Sequence, residues 1–328
     1  MGSDIAALRQ RCSFDAAGRA AAAALTADDY VLNAPHPLDR LDHRAAFADG
    51  LMGPLLDSFP NARERLDILL TGSFAGGDWT ASTGHIAGIF ERPLWGIRAT
   101  GLSAFLRFGR FDRWVDGRMA ETFLILDLPA LMMQAGVWPM ARPLGPFLVP
   151  PGPASRDGVA ANSGDPAEAR ASLDLVEAMI AALMTYDGGQ DLAHMRMVDY
   201  WRDDFWWFGP APIGSFCGHA DYERGHQRPF LTAFPDRKGG DHKCRIGERD
   251  YVASTGWPSV RATHSGGGWL GLAPTGKRIE MRVMDFWRRE EVLLAENWVF
   301  IDIPHLLLQM GVDVFGRMAE LSPATRRR

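Results

Sequence analysis

The sequence predicts an α+β fold built twice in tandem. Three observations carry that prediction: a length of 328 residues, a match of the chain to itself at a fixed offset, and a recurring order of pattern within each half. Length alone allows two domains of ordinary size, each able to bury its own core without metal or disulfide staples. The self-match decides the organisation, because a repeat sets the architecture before any local pattern does. Shifted by 175 residues, Asp29 to Pro60 aligns without a gap on Asp204 to Pro235, pairing Pro35 with Pro210, Gly50 with Gly225 and Phe59-Pro60 with Phe234-Pro235. The same shift aligns Gly96 to Val137 with Gly271 to Val312, where 14 of 42 positions are identical, against about 3 expected from typical residue frequencies. Residues 1–138 are read as the first copy, 139–167 as a linker and 168–328 as the second copy.

The linker is assigned on composition. Prolines at 139, 143, 146, 150, 151, 153 and 166, interspersed with glycines, leave neither helical nor strand periodicity. Beyond it, Leu173, Val176, Ile180 and Leu183 recur at helical spacing and predict an amphipathic helix over Ala167 to Tyr186. The first copy's counterpart is shorter and ends near Leu25. Each copy continues with a short aromatic strand (Asp204 to Phe208 in the second), another helix, and a run of strands that closes on a short helix. Asp127-Leu128-Pro129 and Asp302-Ile303-Pro304 mark the start of that closing helix, since a carboxylate caps free amides and proline suits the first turn.

Composition narrows the function. Hydrophobic residues at 47% and charged residues at 23% describe a folded globular chain. A net charge of -5, with Arg326 to Arg328 as the basic run, gives no footprint for a polyanion, so no nucleic-acid partner is expected. Cys12, Cys217 and Cys244 have no metal-ligand spacing and suit a reducing compartment. Charges interrupt the alanine-rich start from Met1 to Ala24, and no stretch reaches the roughly 18 apolar residues that cross a bilayer. A cytoplasmic protein without membrane contact is the expectation. No Gly-x-Ser-x-Gly elbow, Walker loop, His-Glu-x-x-His or dinucleotide fingerprint occurs. Neither metal nor cofactor is expected.

Ala262-Thr263-His264-Ser265-Gly266, followed by Gly271 to Lys277, resembles the strand-loop-strand signature of SnoaL-like polyketide cyclases. Glu296-Asn297-Trp298, Asp302 and Leu306 to Gly311 are similar to the closing strand and helix of that family. The resemblance covers Gly218 to Val312 well. The first copy follows it more loosely through Gly84-His85, Gly96 to Gly101, Asp116-Gly117-Arg118 and Leu131 to Gly136. It implies two cone-shaped α+β barrels of the nuclear transport factor 2-like superfamily, each a curved sheet wrapped on helices around one pocket. It also implies a cofactor-free aldol cyclisation with an aspartate base and a nearby histidine, although the superfamily hosts many chemistries and proteins with none.

Strand alternation proposes the residues. Met281, Val283, Asp285 and Trp287 share one face, while Arg282, Met284, Phe286 and Arg288 share the other. Asp285 on an apolar concave face would be desolvated, its pKa raised, and so usable as a base or acid near neutrality. The alternative is an ion pair with Arg288 or Arg261. In the first copy the same face reads Leu106, Phe108, Arg110 and Asp112, so an arginine takes the aspartate's place. Catalytic candidates are therefore Asp285 and His264, and in a differentiated first copy Asp112 and His85. Trp287, His219, Tyr222, His226 and Arg110 are candidates for substrate binding, with core filling the preferred reading of Trp287. Arg107 and Arg282 point to the opposite face, toward sheet pairing or a domain interface, with Glu121 and Glu296 as candidate ion-pair partners.

The leading functional expectation is a cofactor-independent acid-base enzyme on a hydrophobic, carbonyl-bearing small molecule, by aldol cyclisation, isomerisation or hydrolysis. The alternative is a non-catalytic binding or interaction module built as a fused pseudo-dimer, which the aromatic run Phe205 to Phe208 would suit if exposed. In either case no further self-association is required.

Overall fold

A computed structural model describes residues 12–160, 164–189 and 191–321. The tail arginines 326–328 and the first 11 residues of the alanine-rich start lie outside the described residues. The first half runs α1 (Ala16–Leu25), β1 (Thr26–Asn33), β2 (Arg40–Asp42), α2 (Gly53–Ser58), β3 (Arg63–Phe74), β4 (Gly77–Ile89), β5 (Ser103–Val115), β6 (Arg118–Leu126) and α3 (Leu128–Gln134). The second half runs α4 (Pro166–Leu183), β7 (Trp201–Phe208), β8 (Ser215–Cys217), α5 (Gly218–Tyr222), α6 (Arg228–Ala233), β9 (Lys238–Gly239), β10 (His242–Glu248), β11 (Tyr251–Thr263), β12 (Arg278–Glu290), β13 (Leu293–Ile301), α7 (Ile303–Gln309) and α8 (Val314–Leu321).

The repeat is visible as topology. One sheet has the order β2-β1-β6-β5-β4-β3, and the other β8-β7-β13-β12-β11-β10 with β9 added on β11. In each sheet the early strand lies parallel to the last one, β1 on β6 and β7 on β13, while the remaining pairs are antiparallel. This is an α+β fold built twice. The helix starts follow the capping chemistry expected of them: Asp127 and Asp302 accept from the amides of Ala130 and His305, with Pro129 and Pro304 in the first turn.

Period-two alternation gives each sheet two faces with different fates. The inner face packs on the helices of its own copy. The outer faces meet each other, and Phe111, Phe123, Phe286, Trp298 and Phe300 form a core between the two sheets. Phe205, Trp207 and Phe208 are buried as well, leaving Trp206 as the one residue of that aromatic run with substantial exposure, at 38%. Gly109 is required at the sheet contact: a Cβ there would stand 2.9 Å from the Phe300 ring and 3.3 Å from the Met284 sulfur.

Contacts between the copies repeat about an approximate two-fold relation. The second carboxylate oxygen of Asp127 accepts from the amide of Ala211 at 3.0 Å, and that of Asp302 from the amide of His36 at 3.1 Å. Arg107 donates to the carbonyls of Phe208, Gly209 and Val299, and Arg282 to Asp39 and Asp302. Both arginines thus serve the interface between copies. The expected pairing of these arginines with Glu121 and Glu296 does not occur. Those glutamates face Arg113 and Arg288, their direct cross-strand neighbours in each hairpin register, and pair with them. The segment 139–160 carries neither helix nor strand and straps across both sheets. The Trp298 indole donates to Pro151 O at 2.9 Å, Leu69 N to Gly158 O at 2.9 Å, and Gly145 N to Ile213 O at 3.0 Å.

Candidate active site

The concave face of the second sheet closes over a cavity of about 550 Å³. Its floor is the alternating set on β12, Met281, Val283, Asp285 and Trp287, continued on β13 by Asn297, Val299 and Ile301. Its walls come from the helical segment 218–233 through Tyr222, His226 and Phe230, from α4 through Met179 and Leu183, and from Trp207 on β7. Its volume falls within the range of small-molecule sites, roughly 300–1,000 Å³. The wall is largely aromatic: the His226 ring stacks on Trp207 at 4.0 Å, and Tyr222 lies edge-on to Phe205 and tilted against the His226 ring.

Asp285 is the carboxylate among the lining residues. It sits opposite Ser254 and Val299 in the strand register, and its hydrogen-bond partner is the Asn297 amide at 3.4 Å. The side chain keeps some surface, and that surface opens on the cavity. Burial therefore pushes its pKa up from 3.8 to about 7, offset in part by the Asn297 hydrogen bond and the charge of Arg245. It forms no ion pair with Arg288 or Arg261. Arg288 is held by Glu290 and Glu296, and Arg261 by Glu280 at 2.8 Å. Two imidazoles share the cavity in neutral form, His226 pushed down to about 3 by burial and His242 to about 4 by burial and the neighbouring Arg245.

Of the residues proposed from sequence, Asp285, Trp287, Tyr222 and His226 come together here. The others do not. His264 is buried in the loop between β11 and β12, where its Nδ1 accepts from the amide of Thr275 at 3.3 Å and its ring packs on Phe234 at 5.4 Å. It braces that loop and does not line the cavity. His219 lines an adjoining hollow of about 280 Å³, next to Phe205 and 3.8 Å from Asp203. His85 lies 3.1 Å from Asp67 and lines a cleft of about 20 Å³ against Arg107 and Asp127, room for about one water. Arg237, Lys238, Arg245, Asn297 and Ser254 line the cavity and were not among the sequence candidates. Asn297 and Ser254 had a readable signal, since both neighbour Asp285 by strand pairing.

At the equivalent place in the first copy, the described side chains are packed with no open surface. Arg110 occupies the position of Asp285 and is fully buried, donating to Asp112 at 2.9 Å and to Cys12 O at 2.6 Å. Asp112 also accepts from the Thr122 hydroxyl at 2.6 Å, and the Arg110 guanidinium lies 4.7 Å from the Phe47 ring centroid. Phe14 packs on Phe108 at 4.8 Å, and Phe14, Phe47, Leu51, Leu106 and Phe108 all have no open surface. Arg110 and Asp112 are therefore a neutralised pair inside a filled core. Any substrate role for them would require that core to open.

Residues 187–310 match the family model described as SnoaL-like polyketide cyclase. Over these residues the second copy is similar to a SnoaL-like domain. The first copy lies outside the matched residues, and its kinship to the SnoaL-like domain rests on the shared strand order and the internal repeat. Among curated proteins, none matches the chain. Three solved structures are similar over one domain's length. AclR of Streptomyces galilaeus, a candidate hydroxylase, is 26% identical over 44% of this chain and 97% of its own, with a TM-score of 0.36. IdmH of Streptomyces antibioticus, a candidate polyketide cyclase, is 21% identical over 43% and 99%, with a TM-score of 0.34. A candidate SnoaL-like polyketide cyclase from Jannaschia sp. CCS1 is 13% identical over 45% and 95%, with a TM-score of 0.37. Among the described residues no helix is long and apolar enough to cross a membrane, and no three His, Cys, Asp or Glu side chains group as a metal site.

Proposed function

We propose that the SnoaL-like domain is a cofactor-independent acid-base enzyme, with Asp285 moving a proton at the carbon next to a carbonyl of a hydrophobic small molecule. The observation that carries this reading is the placement of Asp285 as the carboxylate of an aromatic-walled cavity, hydrogen-bonded by one amide and free of any ion pair. A carboxyl poised near neutrality is an effective general base, because it is available unprotonated and still holds the proton it takes. Asn297 keeps one carboxylate oxygen oriented, leaving the other for the substrate. Tyr222 stands within electrostatic reach of Asp285, with its own pKa raised by burial and by that carboxylate, and so remains a hydroxyl able to donate to the carbonyl oxygen. Trp287 and Trp207 hold the flat body of the substrate. No histidine is within hydrogen-bond distance of Asp285, so the second polar group of the reaction is assigned to Tyr222.

The first copy acts as a fused partner that covers the outer face of the catalytic sheet. Its support is the shared core of Phe111, Phe123, Phe286 and Phe300 and the repeated Asp127 and Asp302 contacts. The pair thereby takes the form of an intramolecular pseudo-dimer.

The test needs no knowledge of the natural substrate. Aromatic methyl ketones and β-diketones are incubated with the protein in heavy water, and deuterium uptake at the carbon next to the carbonyl is followed by mass spectrometry. Uptake is expected to rise with pH through about 7 and to fall by roughly 10²–10⁴-fold in Asp285→Asn. Equal uptake by both proteins would remove the catalytic assignment and leave the binding-module reading.

A further inference from the structure

The charge on the cavity wall is lopsided. Asp285 is its one carboxylate among the described residues, while Arg237, Lys238 and Arg245 bring three cations to it. Arg237 has no carboxylate partner: it donates to Leu183 O at 2.5 Å and lies 4.9 Å from the Tyr186 ring. Arg245 reaches Glu177 through Nη1 at a loose 3.6 Å, and its Nε is buried with no hydrogen-bond partner. Two further buried nitrogens on the same wall, His226 Nδ1 and Gln227 Nε2, also lack a partner. Buried polar nitrogens are rarely left unmet, and each unmet one costs free energy that a ligand atom can recover. A guanidinium without a carboxylate partner, as in Arg237, or with a buried Nε left unbonded, as in Arg245, favours an anionic oxygen above all other partners.

We infer that the cavity selects an aromatic acid: a flat apolar body against Trp207 and Trp287, carrying a carboxylate or an equivalent anionic group held by Arg237 and Arg245. This inference deepens the proposed function and rests on the same cavity, but it does not depend on Asp285 being a base. The arginines set which molecule binds, and Asp285 sets what happens to it.

Two probes that differ chiefly by one charge separate these contributions. The full chain is titrated by fluorescence with 1-anilinonaphthalene-8-sulfonate, an aromatic anion, and with N-phenyl-1-naphthylamine, its uncharged counterpart. Saturable binding of one molecule of each per chain is expected. Arg237→Gln is expected to weaken the sulfonate about tenfold and to change the neutral probe by less than about twofold, the loss of one charge-assisted contact. Arg237→Lys, which keeps the charge, should restore most of the sulfonate affinity, and raising salt should weaken the sulfonate alone. If Arg237→Gln fails to fold by circular dichroism, Arg245→Gln serves in the same comparison. Equal effects on both probes, no effect on either, or no saturable sulfonate binding would overturn the inference. Asp285→Asn separates it from the catalytic reading: it should leave the sulfonate bound as well or better, even if deuterium uptake proves independent of Asp285.

Discussion

The two copies share strand order, register and helix caps, yet one encloses a cavity of about 550 Å³ and the other a filled core. Position by position, the difference is small. Asp285 and Trp287 in the second copy stand where Arg110 and Asp112 stand in the first, and Tyr222 and His226 where Phe47 and Leu51 stand. The larger change is the chain before β1, which in the first copy sends Phe14 and the Cys12 carbonyl onto Arg110 and Phe108. One fold therefore supports either a carboxyl lining a cavity or a neutralised ion pair in a solid core. Which of these results depends on whether the aspartate's neighbour is a tryptophan or a counter-ion.

Removing one member of the buried pair separates the two copies most strongly. Arg110→Met is expected to destabilise the chain by about 3–5 kcal/mol, because Asp112 is left buried without its partner. Denaturant unfolding monitored on the folded baseline of both halves would show the loss, and Arg110→Met combined with Asp112→Leu should recover most of it. Asp285 should behave in the opposite way. Its pKa is raised in the fold from 3.8 to about 7, so the folded chain holds a proton that the unfolded chain releases. That contribution to stability is fully present below about pH 4 and is lost as pH rises toward about 7. Asp285→Asn is thus expected to gain on the wild type across that window, by about 2–4 kcal/mol at pH 8. Parallel unfolding curves at pH 4.5 and 8 would check it, and a constant difference would contradict it. A smaller effect is expected from Asn297→Thr, which places in the second copy the residue that Thr122 provides in the first. Losing the amide at 3.4 Å should raise the pKa of Asp285 further, by less than about one unit.

What the sequence disclosed and what it withheld follow from the range of the forces involved. The repeat, the helix starts at Asp127 and Asp302, and the split of β12 into a cavity face and a core face are local or periodic, so the sequence carried them directly. Asp285 and Trp287 were placed by that alternation, and Tyr222 and His226 by helical spacing. His264 was misplaced because alternation ends with the strand. Its ring direction is set by the Thr275 amide across a loop, which no periodicity encodes. The glutamates were assigned wrong partners because hairpin register depends on the turn, which puts Glu121 opposite Arg113 and Glu296 opposite Arg288. Arg237 and Arg245 reach the cavity from the chain just before β9 and from β10. Only the assembled sheet brings them to the wall that Asp285 faces.

Asp285 is an ionisable group held near neutrality inside the second copy, where the first copy has Arg110 in its place. A carbon-13 NMR titration of aspartate carboxyl signals, with Asp285→Asn identifying the resonance, measures this directly. A midpoint near 7 for Asp285 is the predicted result. A midpoint near 4, the ordinary value for a solvated aspartate, would contradict it.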